Sequence, residues 1–108
     1  MGHVGVICPN TPGHVNPMLA LADAIRARGH RVTFFLLGDP PPSIAAAGFE
    51  IVPLGGAVFP PDQYRAWLQQ LGSLQGRAAL KHTFAMGARA AEAILEVGPT
   101  AARAAGVT

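Results

Sequence analysis

Three short runs along this chain are apolar at successive positions rather than alternate ones. His3-Val4-Gly5-Val6-Ile7-Cys8 is the first and ends at Pro9. A run apolar on both faces suits a strand buried inside a parallel sheet. Arg31-Val32-Thr33-Phe34-Phe35-Leu36-Leu37 is the second, and its β-branched and aromatic content favours a strand. Phe49-Glu50-Ile51-Val52-Pro53-Leu54 is the third. Between the first two, Pro9 to Val15 reads as a loop and Asn16-Pro17 as a helix start. Asn would be the N-cap and Pro would take the first helical position, where its missing N–H costs nothing. Leu19, Leu21, Ala22 and Ile25 give that helix an apolar side, Asp23 and Arg26 can pair three residues apart, and Gly29 closes it. Ser43 to Ala47 reads as a short helix ended by Gly48. Strand, helix, strand, helix, strand is a βαβαβ unit. The predicted fold class is therefore α/β, with three parallel strands and helices on both faces.

The second half carries a helical period. Asp62 can cap a helix in which Tyr64, Trp67, Leu68 and Leu71 share one face, closed by Gly72. Leu74 to Val97 predicts a longer helix with Leu80, Phe84, Ala88, Ala91 and Leu95 on its apolar side. Gly98-Pro99 would stop it, and Thr100 would cap a short helix ending at Gly106. Gly76 and Gly87 weaken the long helix by about 1 kcal/mol each relative to Ala. Val107-Thr108 reads as the start of a fourth strand, which a doubly wound sheet would place beside the first. The expectation is one incomplete domain over residues 1–108.

Composition narrows the function classes. Charged residues make up 13% of the chain, against roughly 25% in an average soluble domain. Either some surface expects cover or the chain is simply alanine-rich; both readings stand. The eight basic residues, against six acidic, are scattered and not interleaved with aromatics, which argues against nucleic acid as a partner. The lone cysteine, Cys8, excludes an internal disulfide and a multi-cysteine zinc site; it reads as a buried thiol in a cytoplasmic protein. No apolar run approaches the roughly 20 residues of a membrane span.

His14 is the residue most open to chemistry. It lies after the carboxyl end of the first strand, in the crevice where open α/β sheets bind ligands. An imidazole with its ordinary pKa of about 6.5 can accept a proton at neutral pH. A loop histidine with a structural hydrogen bond is the plain alternative. Gly13 permits a tight turn and leaves room for a ligand. Asn16 reads first as a cap and second as a ligand contact. His3 and His30 read as structural, and His82 has no ligand set around it for a metal. A dinucleotide module shares the βαβ start, and Asp39 could stand where such modules hold a ribose. Yet the first loop has one glycine, Gly13, where that fingerprint needs three.

Thr11-Pro12-Gly13-His14-Val15-Asn16-Pro17-Met18-Leu19, followed in register by Arg28-Gly29-His30-Arg31-Val32-Thr33, resembles the N-terminal signature of the family 1 (UDP-glycosyltransferase-like) GT-B glycosyltransferases. Ala46-Ala47-Gly48-Phe49-Glu50 continues the match, and Leu71 to Leu80 is similar to the bacterial zeaxanthin glucosyltransferase-like branch. The resemblance implies a truncated N-terminal acceptor-binding domain of an inverting, metal-independent hexosyltransferase. Such an enzyme moves a sugar from a UDP-sugar to a hydroxyl of a small, lipophilic acceptor. It implies His14 as catalytic base and an acceptor pocket shaped by the stretch that holds Phe59, Tyr64, Trp67, Phe84 and Met86, for each of which core packing at helical spacing is the plain alternative; Gly13 and Asn16 join Phe59 and Phe84 as candidate acceptor contacts. It implies no cofactor: the UDP-sugar is a substrate held mainly by a C-terminal domain that this chain lacks. The family's orienting aspartate, at the end of strand four, has no counterpart here. The alternatives are a non-catalytic fragment and a Rossmann-like nucleotide-binding module.

Overall fold

A computed structural model of the chain describes residues 2–54 and 61–108. In chain order the elements are β1 (His3–Ile7), α1 (Pro12–Ala27), β2 (Arg31–Leu37), α2 (Pro42–Ala46), β3 (Glu50–Leu54), α3 (Pro61–Gly72) and α4 (Gly76–Ala105). The strands form one parallel sheet in the order β1-β2-β3, with Val6 beside Phe34 and Phe34 beside Ile51. This is the expected three-stranded, Rossmann-like α/β arrangement.

Strand β2 is buried from Val32 to Leu37 because both of its faces are covered. Successive side chains point to opposite sides of a sheet. Val32, Phe34 and Leu36 therefore pack with Val15 and Ala22 of α1, Ile44 of α2 and Phe49. Phe35 and Leu37 pack the other way, with Ala93, Ile94 and Val97 of α4 and Trp67 and Leu68 of α3. At Gly5 a Cβ would lie 3.0 Å from the Phe35 ring, so the glycine in β1 is what lets that ring cross the strand.

Several helix boundaries differ from the sequence reading. Helix α1 begins at Pro12 with Thr11 as its extended N-cap, so Asn16 and Pro17 lie inside it and Asn16 is not a cap. Thr-Pro and Asn-Pro are equally good starts locally. The later proline is tolerated because the carbonyl it orphans is that of Gly13, exposed in the first turn. Helix α4 runs unbroken through Gly98 and Pro99 to Ala105, where the expected stop and second helix do not occur. An interior proline costs ~3 kcal/mol. Burial of Ile94, Val97, Ala101, Ala102 and Ala105 against the sheet offsets it. Helix α3 starts at Pro61, which places Asp62 within the helix.

The apolar side expected for α4 is, apart from Ala91, its outer side. Leu80, Phe84 and Leu95 are exposed, while the face built on Ala90, Ala93, Ile94 and Val97 meets the sheet. Both stripes have helical spacing, and only docking distinguishes them.

Side chains pin the amino ends of the strands. Arg31 donates to both carboxylate oxygens of Glu50, at 2.9 and 3.0 Å, and the Thr33 hydroxyl donates a third bond at 2.9 Å. Arg31, then Thr33, hold the Glu50 carboxyl below the ordinary carboxylate value. What this adds to stability is present above that range and fades as pH falls through it. Thr108 donates its N–H to the carbonyl of His3 (3.1 Å), and its hydroxyl accepts from the His3 N–H (3.0 Å), on the side of β1 away from β2. Arg26 bonds Asp23 as expected (2.9 Å). It also donates to the Ala47 carbonyl (2.8 Å) and lies over the Phe49 ring, 4.1 Å from its centroid, clamping α1 to the turn before β3.

Because Phe34 is fully buried in the α1 side of the core, Phe34→Ala is expected to destabilise the chain by roughly 3–5 kcal/mol. That is a large part of the ~5–15 kcal/mol that holds a typical domain together. Urea denaturation followed by circular dichroism checks this; an unchanged midpoint would contradict the packing described.

Candidate active site

The carboxyl ends of β1 and β2 open into a cleft of about 430 Å³ with almost entirely apolar walls. Its floor is Ile7 and Cys8 at the end of β1 and Leu37 at the end of β2. One wall is the loop from Pro9 to Thr11 with His14; the other is built by Leu68 and Leu71 of α3 and by α4. Ile7 is 43% exposed for this reason: it is a strand residue facing the opening rather than a helix. The α4 residues that reach the cleft are Thr83, Met86, Gly87, Ala90, Ala91 and Ile94, most of them at the spacing of one helix face.

Local structure presents His14. The chain leaves β1 at Pro9, and Asn10 donates from Nδ2 to the carbonyls of Leu37 (2.8 Å) and Asp39 (2.7 Å), fastening the loop to the end of β2. Thr11 then caps α1, its carbonyl accepting from the N–H groups of His14 (3.0 Å) and Val15 (2.8 Å). Val15 turns into the core and leaves His14, one position earlier, exposed at the cleft. Its Nδ1 lies 2.8 Å from the Thr11 hydroxyl. An exposed imidazole beside apolar walls can take a proton from a hydroxyl-bearing ligand held against those walls.

The other sequence candidates scatter. Gly13 and Asn16 are exposed in the first turns of α1 and do not line the cleft. Phe84 is 69% exposed on the outer side of α4 and does not line it either; a proper contact there would need α4 rotated about its axis. Phe59 and the side chain of Tyr64 lie outside the described residues. Met86 does line the cleft, while Trp67 packs against the sheet and its carbonyl lies 2.9 Å from Nε2 of His82. Asp39 is ion-paired with Arg65 of α3. Among the described residues no three of His, Cys, Asp and Glu converge as metal ligands would, and no helix is long and apolar enough to cross a membrane.

Sequence reasoning missed Thr11, Thr83 and the role of Gly87. The Thr-x-x-His spacing around an N-cap was a usable signal for Thr11. Gly87 read as a weak point in a helix, but a Cβ there would meet nothing within 4 Å, so the glycine keeps the cleft wide.

Fold and cleft together define a Rossmann-like α/β unit with a crevice at the carboxyl edge of its sheet, the edge where open α/β sheets generally bind ligands. Over 39 residues the chain is 46% identical to a demethyllactenocin mycarosyltransferase from Streptomyces fradiae; the match takes in 36% of this chain and 8% of that relative's length. No family model matches the chain, and no solved structure does. The similarity to a glycosyltransferase supports sugar transfer in general terms, while placement in the zeaxanthin branch rests on the sequence resemblance alone.

Burial pushes the Cys8 thiol above its ordinary value. The native chain is therefore expected to react with Ellman's reagent at neutral pH many times more slowly than the urea-unfolded chain, since the thiolate is the nucleophile. Equal rates would place the thiol at the surface.

Proposed function

We propose that this chain supplies the acceptor side of a glycosyltransferase. A small, lipophilic alcohol lies in the apolar cleft with its hydroxyl at His14. The imidazole takes the O–H proton as the oxygen forms a bond to the anomeric carbon of a UDP-sugar, and the bond from that carbon to UDP breaks, with inversion. UDP leaves as the diphosphate anion. The donor is held by further protein beyond these residues, and the metal-independent route follows the family resemblance. The observation that carries this reading is the position of His14, exposed at the edge of an apolar cleft at the carboxyl ends of β1 and β2. A dinucleotide module is less well supported, because Asp39, which would have to hold a ribose, is engaged by Arg65.

In the enzyme that contains this domain, His14→Ala is expected to lower kcat by ~10²–10⁴-fold, the usual contribution of a positioned general base. Residues 1–108 alone are expected to transfer no sugar. Release of UDP in the presence of lipophilic alcohols measures both; full activity in the His14→Ala enzyme would remove the base from the mechanism.

The cleft itself can be tested at Gly87. Gly87→Phe places its side chain where an added Cβ meets nothing within 4 Å, so it should raise the KM for lipophilic acceptors while the helix holds, since Phe has a better helix propensity than Gly. Unchanged acceptor kinetics in a folded Gly87→Phe enzyme would move the acceptor elsewhere.

A further inference from the structure

The outer side of α4 carries three large apolar side chains in water: Leu80 (56% exposed), Phe84 (69%) and Leu95 (76%). At about 100° per residue they fall within about 60° of arc, with the exposed Ala88 and Ala91 among and beside them. Leu80 and Ala91 are about three whole turns apart, as are Phe84 and Leu95, so the stripe runs straight along the helix. Contiguous apolar surface of this kind marks a contact, which singly scattered side chains do not.

The charges beside the stripe say what the contact is with. Lys81, Glu92 and Glu96 are exposed on one flank, the one away from the cleft, and Arg77 is exposed near the amino end of α4. That flank is therefore positive toward the amino end of the helix and negative toward the carboxyl end. A partner of uniform charge would be repelled by one half of it. Two copies of the helix repel when parallel, since like charges lie level, and attract when antiparallel.

We propose that this face of α4 pairs with the same face of a second copy of the chain, antiparallel, about a two-fold axis between Gly87 and Ala88. Leu80 of one copy then lies opposite Leu95 of the other, and Phe84 opposite Ala91. Small residues hold the middle, where the helices come closest: a Cβ on Gly87 would meet nothing within 4 Å. In an antiparallel pair each flank faces the same flank of the other helix. Lys81 falls level with Ile94 of the second copy, about 3 Å along the helix from both Glu92 and Glu96, and Arg77 is as near to Glu96. Glu92 also has Arg89 of its own helix 4.0 Å away, so Glu96 is the stronger partner of the two. Ala91 belongs to both the stripe and the cleft wall, so the second copy borders the cleft. One helix face is smaller than the ~800 Å² per partner of a standard interface, which makes this a weak pair with a Kd of roughly 10 µM to 1 mM.

Sedimentation equilibrium of the 108-residue chain tests the pairing. The mass should rise from 11.1 kDa toward twice that as concentration passes the Kd. Phe84→Ser should weaken association at least about tenfold, as loss of a central aromatic anchor does. Its circular dichroism should be unchanged, because the ring is mostly in water. Lys81→Glu should weaken association about tenfold, and so should Glu92→Lys/Glu96→Lys, since each sets like charges together at two symmetric places. An equimolar mixture of those two variants should regain wild-type association, because each then meets the opposite charge.

A chain that stays at 11.1 kDa up to about 1 mM gives the stripe to another occupant and overturns the pairing. So does association that ignores Phe84→Ser, and so do charge variants that fail to recover on mixing. If Phe84→Ser does not fold, the charge variants, which alter exposed side chains alone, decide it.

Discussion

The burial of β2 on both faces is the constraint from which the rest of the molecule follows. Six consecutive residues, Val32 to Leu37, are buried, and each sheet face therefore needs its own helical cover. Helices α1 and α2 supply one and α3 and α4 the other. The strand's parallel pairing with β1 and β3 sets all three carboxyl ends at one edge of the sheet. Were β2 covered on one side alone, the cleft would lose a wall: its α3 and α4 residues are in place only because the Phe35 and Leu37 side of the sheet holds those helices.

The cleft is chemically lopsided, and its asymmetry gives the site its character. Apolar surface from α3, α4 and the strand ends favours a ligand with little polarity of its own. Apart from Thr83 of α4, whose hydroxyl donates to the Ala79 carbonyl, the polar groups, Asn10, Thr11 and His14, lie together on the side of the loop after β1. Asn10 has its amide hydrogens in the carbonyls of Leu37 and Asp39, so it is a fastening for the loop. Thr11 and His14 hold each other. One hydroxyl-bearing end of an otherwise apolar ligand is what such an arrangement can orient and deprotonate.

Much of this was legible in the chain itself. The three strands were, because runs that are apolar at successive positions have few other stable placements; β2 was expected at the limits it adopts. So was the closure of α1, where Gly29 takes a φ of 90°. His14 was legible as a candidate through its place after β1 and the motif around it. Asn16 and Phe84 were not placed correctly. Asn16 belongs to one of two adjacent proline-start signals of equal local merit, and Phe84 to one of two apolar stripes on a single helix. In both, local patterning offers two answers of nearly equal energy.

The sequence by itself determined the alternation of strands and helices, the parallel sheet and the presence of an imidazole at its carboxyl edge, since these depend on neighbours within a few residues. Tertiary structure decided which side of α4 is inside, that α4 continues through Pro99, and that Gly87 and Met86 rather than Phe84 face the cleft. The reason is that a helix presents several apolar directions at once. The one that meets the sheet is chosen by the shape and burial of residues more than forty positions away in the chain, such as Phe35 and Leu37.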